Sequence, residues 1–176
     1  MNGGFNNFRV GVDISESSRK SLENLTNDIK KYTEELGLNF KAPGRHHMTL
    51  GYFKYISNEE LIKLLTGLDN LKKEKNNILM IDPNNQYDQT LHKIVGRKSN
   101  INESFHFVLT PHNPETIYKK FIQTQKITPH INLGSISHEI PHMQELISKI
   151  KISRDGYIKD NRIVVDFNKI LMEFKY

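Results

Sequence analysis

The chain has 176 residues, 36% hydrophobic and 9% aromatic, with no cysteine and a formal charge of +5 from 25 Lys and Arg against 20 Asp and Glu. That length and apolar content suit one domain with a real core. The absence of cysteine excludes disulfides, thiolate metal ligands and a cysteine nucleophile. No apolar run is long enough to cross a bilayer, and the polar start, residues 1–7, does not read as a secretory signal. A soluble, cytoplasmic protein without membrane contact is expected. The modest positive charge favours anionic partners without choosing one.

Phe8, Val10, Val12 and Ile14 alternate with polar or small residues, the period of a half-buried strand. Ser15 and Ser17 then offer caps for a helix whose apolar stripe is Leu22, Leu25, Ile29, Tyr32 and Leu36, closed by Gly37. A loop through Pro43 and Gly44 leads into a strand from about His46 to Tyr55. Ser57 and Glu60 have capping-box spacing ahead of Leu61, Leu64, Leu65, Leu68 and Leu71.

Strands are expected at 77–82, 91–97, 105–109 and 127–136, with a loop at 83–89. A helix runs from Asn113 and Pro114 to about Gln123, and another opens at Pro141 with Met143, Leu146, Ile147 and Ile150. The C-terminus alternates twice more, at 162–167 and 170–176. Mixed elements of this kind define an α+β class, and no linker separates independent domains.

One pattern occurs twice. His47, Met48, Thr49, Leu50 and Gly51 are matched by His130, Ile131, Asn132, Leu133 and Gly134, each in an expected strand. Strand alternation puts His47 and Thr49 on one face, His130 and Asn132 on another, with the apolar residues behind them. Strands paired across a cleft would converge four polar groups. Such a set suits attack at phosphorus. One neutral imidazole takes a proton from the nucleophile and the other, as imidazolium, gives one to the leaving oxygen. Thr49 and Asn132 would donate to the non-bridging oxygens, and the two glycines would leave the face open to substrate.

The repeated motif resembles that of the 2H (two-histidine) phosphoesterase superfamily, which includes LigT-like RNA phosphodiesterases and 2′,3′-cyclic nucleotide 3′-phosphodiesterase. The resemblance extends from the first strand to the C-terminus. It implies two antiparallel-sheet lobes with outer helices around a central cleft, and catalysis without metal or other cofactor. It makes His47 and His130 the catalytic pair and Thr49 the first phosphate-binding hydroxyl. Asn132 departs from the usual Thr or Ser, but an amide also donates to a phosphoryl oxygen. Tyr52 matches an aromatic that follows the first motif, with core packing as its expected role.

Arg45 adjoins the first motif and is a candidate for a second phosphate. Phe53 and Tyr157 lead the candidates for stacking on a base, with Tyr55, Tyr87, Phe105 and Phe107 behind them. His46 should face away from the site, and a zinc site at His138 and His142 is not expected. His92, His106 and His112 have no assigned partner. Stand-alone viral members of the superfamily resemble this chain and destroy 2′,5′-linked messengers. A small nucleotide substrate is therefore expected, either 2′,3′-cGAMP or 2′,5′-oligoadenylate. Opening of 2′,3′-cyclic phosphates at RNA ends and a non-catalytic nucleotide-binding module are the alternatives. No obligate protein partner is expected.

Overall fold

Alternation at the start of the chain builds the middle of a sheet. Strand β1 (Phe8–Ile14) turns Phe8, Val10, Val12 and Ile14 into the core. The computed structural model describes residues 8–53, 56–73, 78–80, 91–94, 104–110, 130–137, 140–158 and 162–174. Helix α1 (Glu16–Glu35) starts at Ser15, whose hydroxyl accepts from the Ser18 amide at 3.4 Å, and is followed by Gly37 at φ 73°. Leu22, Leu25 and Ile29 of the expected stripe are buried and Tyr32 is half-buried. Leu36, the last position of that stripe, is exposed instead.

Helix α2 (Asn58–Lys73) opens on the expected capping box. The Ser57 amide donates to Glu60 Oε2 at 2.7 Å, and the Glu60 amide donates to Ser57 Oγ at 3.2 Å. Leu64 and Leu68 are buried, while Ile62 and Leu65 face solvent. Helix α3 (Met143–Tyr157) buries Leu146, Ile147 and Ile150 and lies against α1, where Tyr32 and Ser153 share a 2.7 Å hydrogen bond.

The remaining strands are β2 (Phe40–Lys41), β3 (His47–Phe53), β4 (Ile78–Met80), β5 (Leu91–Ile94), β6 (Ser104–Leu109), β7 (Ile131–Ile136) and β8 (Arg162–Phe174). They form an eight-stranded antiparallel sheet in the order β4-β8-β1-β3-β7-β6-β5, with β2 on β7. The fold is α+β, as expected, with helices covering one face of the sheet. The strands around β1 and the strands around β7 pair with each other at β3 and β7, through Met48 and Ile131. Both residues are fully buried. Both motifs therefore lie at this junction within the one sheet.

Two boundaries differ from the sequence reading. Strand β2 is too short to show a period. The C-terminal segment is one strand rather than two: Val12 pairs with Ile170 and Asp13 with Asp166, so positions 167–169 are an irregularity that β1 pairs around. The helix expected at 113–123, the start of the strand expected at 127 and the loop at 83–89 lie outside the described residues.

Gly134, read from sequence as leaving room for substrate, has a packing role. Its φ is +134°, and a methyl group there would overlap the Phe40 ring and approach the Lys41 carbonyl oxygen at 3.1 Å. Gly134→Ala should cost about 3 kcal/mol and lower Tm by roughly 6–12 °C, from backbone strain plus overpacking. Gly37→Ala is the control. It also sits at positive φ but has nothing within 4 Å of the added methyl, so its loss should be smaller. Equal losses in the two melts would show that the Phe40 contact adds nothing.

Candidate functional site

The Met48–Ile131 pair fixes what surrounds it. In an antiparallel ladder the flanking positions face each other, so His47 stands opposite Asn132 and Thr49 opposite His130. Opposed Cβ atoms on one face lie about 4.5–5.5 Å apart and diagonal ones about 7–8 Å. That separation lets the two imidazoles, which are diagonal to each other, flank a single phosphate. The neighbouring strands extend the grid. Asp13 is opposite His47 and Gly11 opposite Thr49 on β1, while Val108 is opposite Asn132 on β6. The same register carried one step further brings Thr110 beside His130. The four residues singled out from the motifs therefore share one small area on the face away from the helices.

His47 is held at both ring nitrogens. Nδ1 is 2.9 Å from the Arg45 carbonyl oxygen, and Nε2 is 2.7 Å from Arg9 Nη1. A carbonyl only accepts and a guanidinium only donates. These partners suit the tautomer with its proton on Nδ1 and its lone pair on Nε2. Arg45 is fixed in turn by Asp13, through Nε to Oδ1 at 3.0 Å and Nη2 to Oδ2 at 2.5 Å. Arg19 Nη2 donates to Asp13 Oδ1 at 2.5 Å and to the Ile14 carbonyl at 2.8 Å. Burial alone would raise the Asp13 carboxyl, but hydrogen bonds from Arg45 and Arg19 and their charges outweigh it and hold its pKa below the usual value.

Asn132 is oriented too. Its Oδ1 accepts from the Gly134 amide at 3.1 Å and lies 3.4 Å from His106 Nδ1. With the oxygen so engaged, the amide nitrogen is the group left to donate to a phosphoryl oxygen. His106, whose Nε2 is 3.3 Å from Ser104 Oγ, was not singled out from sequence. Neither was Thr110, fully buried with a hydroxyl that has no hydrogen-bond partner among the described residues. The signal for both was present. Phe105, Phe107 and Leu109 alternate into the core, which turns His106, Val108 and Thr110 to the motif face.

Other candidates are placed elsewhere. The Arg45 guanidinium pairs with Asp13, and its carbonyl accepts at His47 Nδ1. Phe53 stacks on Phe8, ring centroids 4.9 Å apart, and packs against the core, because its strand position falls opposite Phe8. Tyr157 ends α3, and its hydroxyl bonds Asp28 of α1, which raises its pKa. Phe105 and Phe107 are core residues. The Tyr52 side chain, Tyr55, Tyr87, His112 and His138 lie outside the described residues, and His142 precedes α3. Among the described residues no three His, Asp or Glu side chains group as a metal site.

His46 is structural, as expected: it is buried, with Nε2 2.9 Å from Thr26 Oγ1. Desolvation chiefly, with the nearby Arg19 and His47, lowers its pKa to about 4 from 6.5. The unfolded chain thus binds this proton at a higher pH than the folded one. The neutral form stabilises the fold fully above about pH 6.5, and this is lost as pH falls towards 4. The loss should total about 3 kcal/mol. Denaturant melts between pH 4 and 7.5 should show it, and His46→Gln should flatten that dependence; an unchanged slope would count against the assignment.

No protein-family model matches the chain, and no curated protein does. Among solved structures, that of Usb1 from Kluyveromyces marxianus is similar at a TM-score of 0.49 and 8% identity, over 97% of this chain and 94% of that one.

Proposed function

We propose that the protein is a phosphodiesterase of the two-histidine kind, using His47 as general base and His130 as general acid. The observation that supports this reading is the Met48–Ile131 register, from which His47 stands opposite Asn132 and Thr49 opposite His130. The neutral tautomer of His47, with a lone pair on Nε2, supports its choice as base. His130 then supplies the proton to the leaving oxygen. Thr49 and the Asn132 amide nitrogen donate to the non-bridging oxygens as charge builds there.

The substrate class we favour is a 2′,5′-linked nucleotide, of the kind used as a messenger. His47 takes the proton of the neighbouring 3′-hydroxyl as that oxygen bonds to phosphorus. The bond from phosphorus to the 5′-oxygen breaks, and His130 protonates the departing oxygen. The products are a 2′,3′-cyclic phosphate and a free 5′-hydroxyl. The resemblance of the paired motif to 2H phosphoesterases supports this choice; a role in removing a host immune messenger is proposed by analogy with viral members of that superfamily.

The test is chromatography of products from 2′,3′-cGAMP, 3′,3′-cGAMP, 2′,5′-oligoadenylate and a 2′,3′-cyclic mononucleotide, all in excess chelator. Cleavage confined to 2′,5′ links is the expected result. Opening of the cyclic mononucleotide alone would transfer the activity to RNA ends, and no turnover of any of them would leave a binding module.

A further inference from the structure

The nitrogen that must take the proton is already occupied. Arg9 Nη1 lies 2.7 Å from His47 Nε2, so the lone pair required of a base is tied up as the structure stands. The contact is built into the strand. Arg9, Gly11 and Asp13 share one face of β1, and Gly11 stands between Arg9 and the position opposite His47. A side chain on Gly11 would come within 3.6 Å of His47 Cδ2 and 3.0 Å of the Met48 carbonyl. Its absence lets the Arg9 chain run along the strand to the imidazole.

We infer that Arg9 is a phosphate ligand whose transfer from His47 to the substrate releases the base. The inference rests on the reading of His47 as base. A guanidinium bonded to a neutral imidazole makes an ion–dipole hydrogen bond. Bonded to a phosphodiester oxygen it makes a charge-assisted one, which is stronger and suits the planar fork. Asp13, the carboxylate opposite His47, already takes Arg19 and Arg45. An anion arriving beside Thr49 and Asn132 therefore draws Arg9 off Nε2. The same movement grips the substrate and exposes the lone pair. A ligand without negative charge does neither, so recognition of the phosphate and activation of the base are one event.

The probe is inorganic phosphate, which needs no knowledge of the substrate. Histidine ring nitrogens of the intact chain are followed by NMR during titration, in wild type, Arg9→Gln and Arg9→Lys. In wild type, phosphate should shift His47 Nε2 as the guanidinium leaves it. In Arg9→Gln, Nε2 should start near the phosphate-free-of-arginine position, move little, and phosphate should bind at least about 10-fold more weakly. Arg9→Lys, which keeps the charge, should recover part of that affinity and guards against misfolding of the glutamine variant. Unchanged phosphate affinity in both variants would overturn the inference. Because this readout requires no turnover, it separates from the proposed activity. Diester cleavage with phosphate binding that ignores Arg9 sinks the Arg9 role alone, whereas Arg9-dependent binding without cleavage sinks the activity alone.

Discussion

His47→Ala and His130→Ala should each lower the rate of diester cleavage by about 10²–10⁴-fold, with folding unaffected. Both side chains are half-buried and neither belongs to the core cluster, so truncation leaves no cavity among the residues that hold the sheet together. The double variant should be little slower than the worse single one, since one proton transfer without the other no longer completes the displacement. The two should also differ in pH behaviour. Loss of the base removes the acid-side limb of the profile, and loss of the acid removes the alkaline-side limb, leaving residual activity that rises or falls in only one direction. The assay is initial rate against pH for a cleavable 2′,5′-linked dinucleotide. Equal residual rates with both limbs intact in each variant would show that neither imidazole transfers a proton in the rate-limiting step.

Why this pair was legible from sequence while its supports were not comes down to period. The motifs sit on strands, where a period of two separates His47 and Thr49 from Met48 and Leu50 without knowledge of the fold, and the second copy repeats the separation. The register of β3 on β7 then had few alternatives, because a one-residue slip would bury the histidines and expose Met48 and Ile131. Arg9 carries no such signal. It reads as the solvent-side residue of an alternating strand, and only the placement of β1 beside β3 brings it to Nε2. Arg45 is a different case. A cation next to the first motif suggests a ligand for phosphate, while its observed partner, Asp13, is 32 positions away in sequence and reachable only once the sheet is formed. Aromatic residues were the least informative. Phe53 falls on β3 at a position that chain order alone would leave open, and the stack on Phe8 requires the β-bulge between Val10 and Gly11 that shifts the register.

Asp13→Asn should destabilise the protein by about 3 kcal/mol and slow catalysis as well. The carboxylate side chain is 1% exposed and bonds two guanidiniums, of which Arg19 is 13% exposed and Arg45 53%. Removing the charge strands Arg19 in a largely dry position, while Arg45 can turn to water, which places the cost at the lower end for a buried ion pair. The pH dependence fixes the cause. The folded pKa of Asp13 is lowered below 3.8, so its contribution is complete above that value and is lost as pH falls through the folded pKa. Wild type should therefore show a stability loss below about pH 3.8 that the asparagine variant lacks, beyond the loss already expected from His46 at higher pH. Catalysis suffers for a geometric reason. Arg45 holds the carbonyl that fixes the His47 proton on Nδ1, and a displacement on the order of 1 Å at a reacting group costs up to about 100-fold in rate. The readouts are denaturant melts across pH together with kcat and KM at neutral pH, where the kcat loss should exceed any change in KM. A variant as stable as wild type at pH 7 but slower in turnover would assign Asp13 to the orientation of His47 alone, and one that is less stable but equally fast would detach Arg45 from the site.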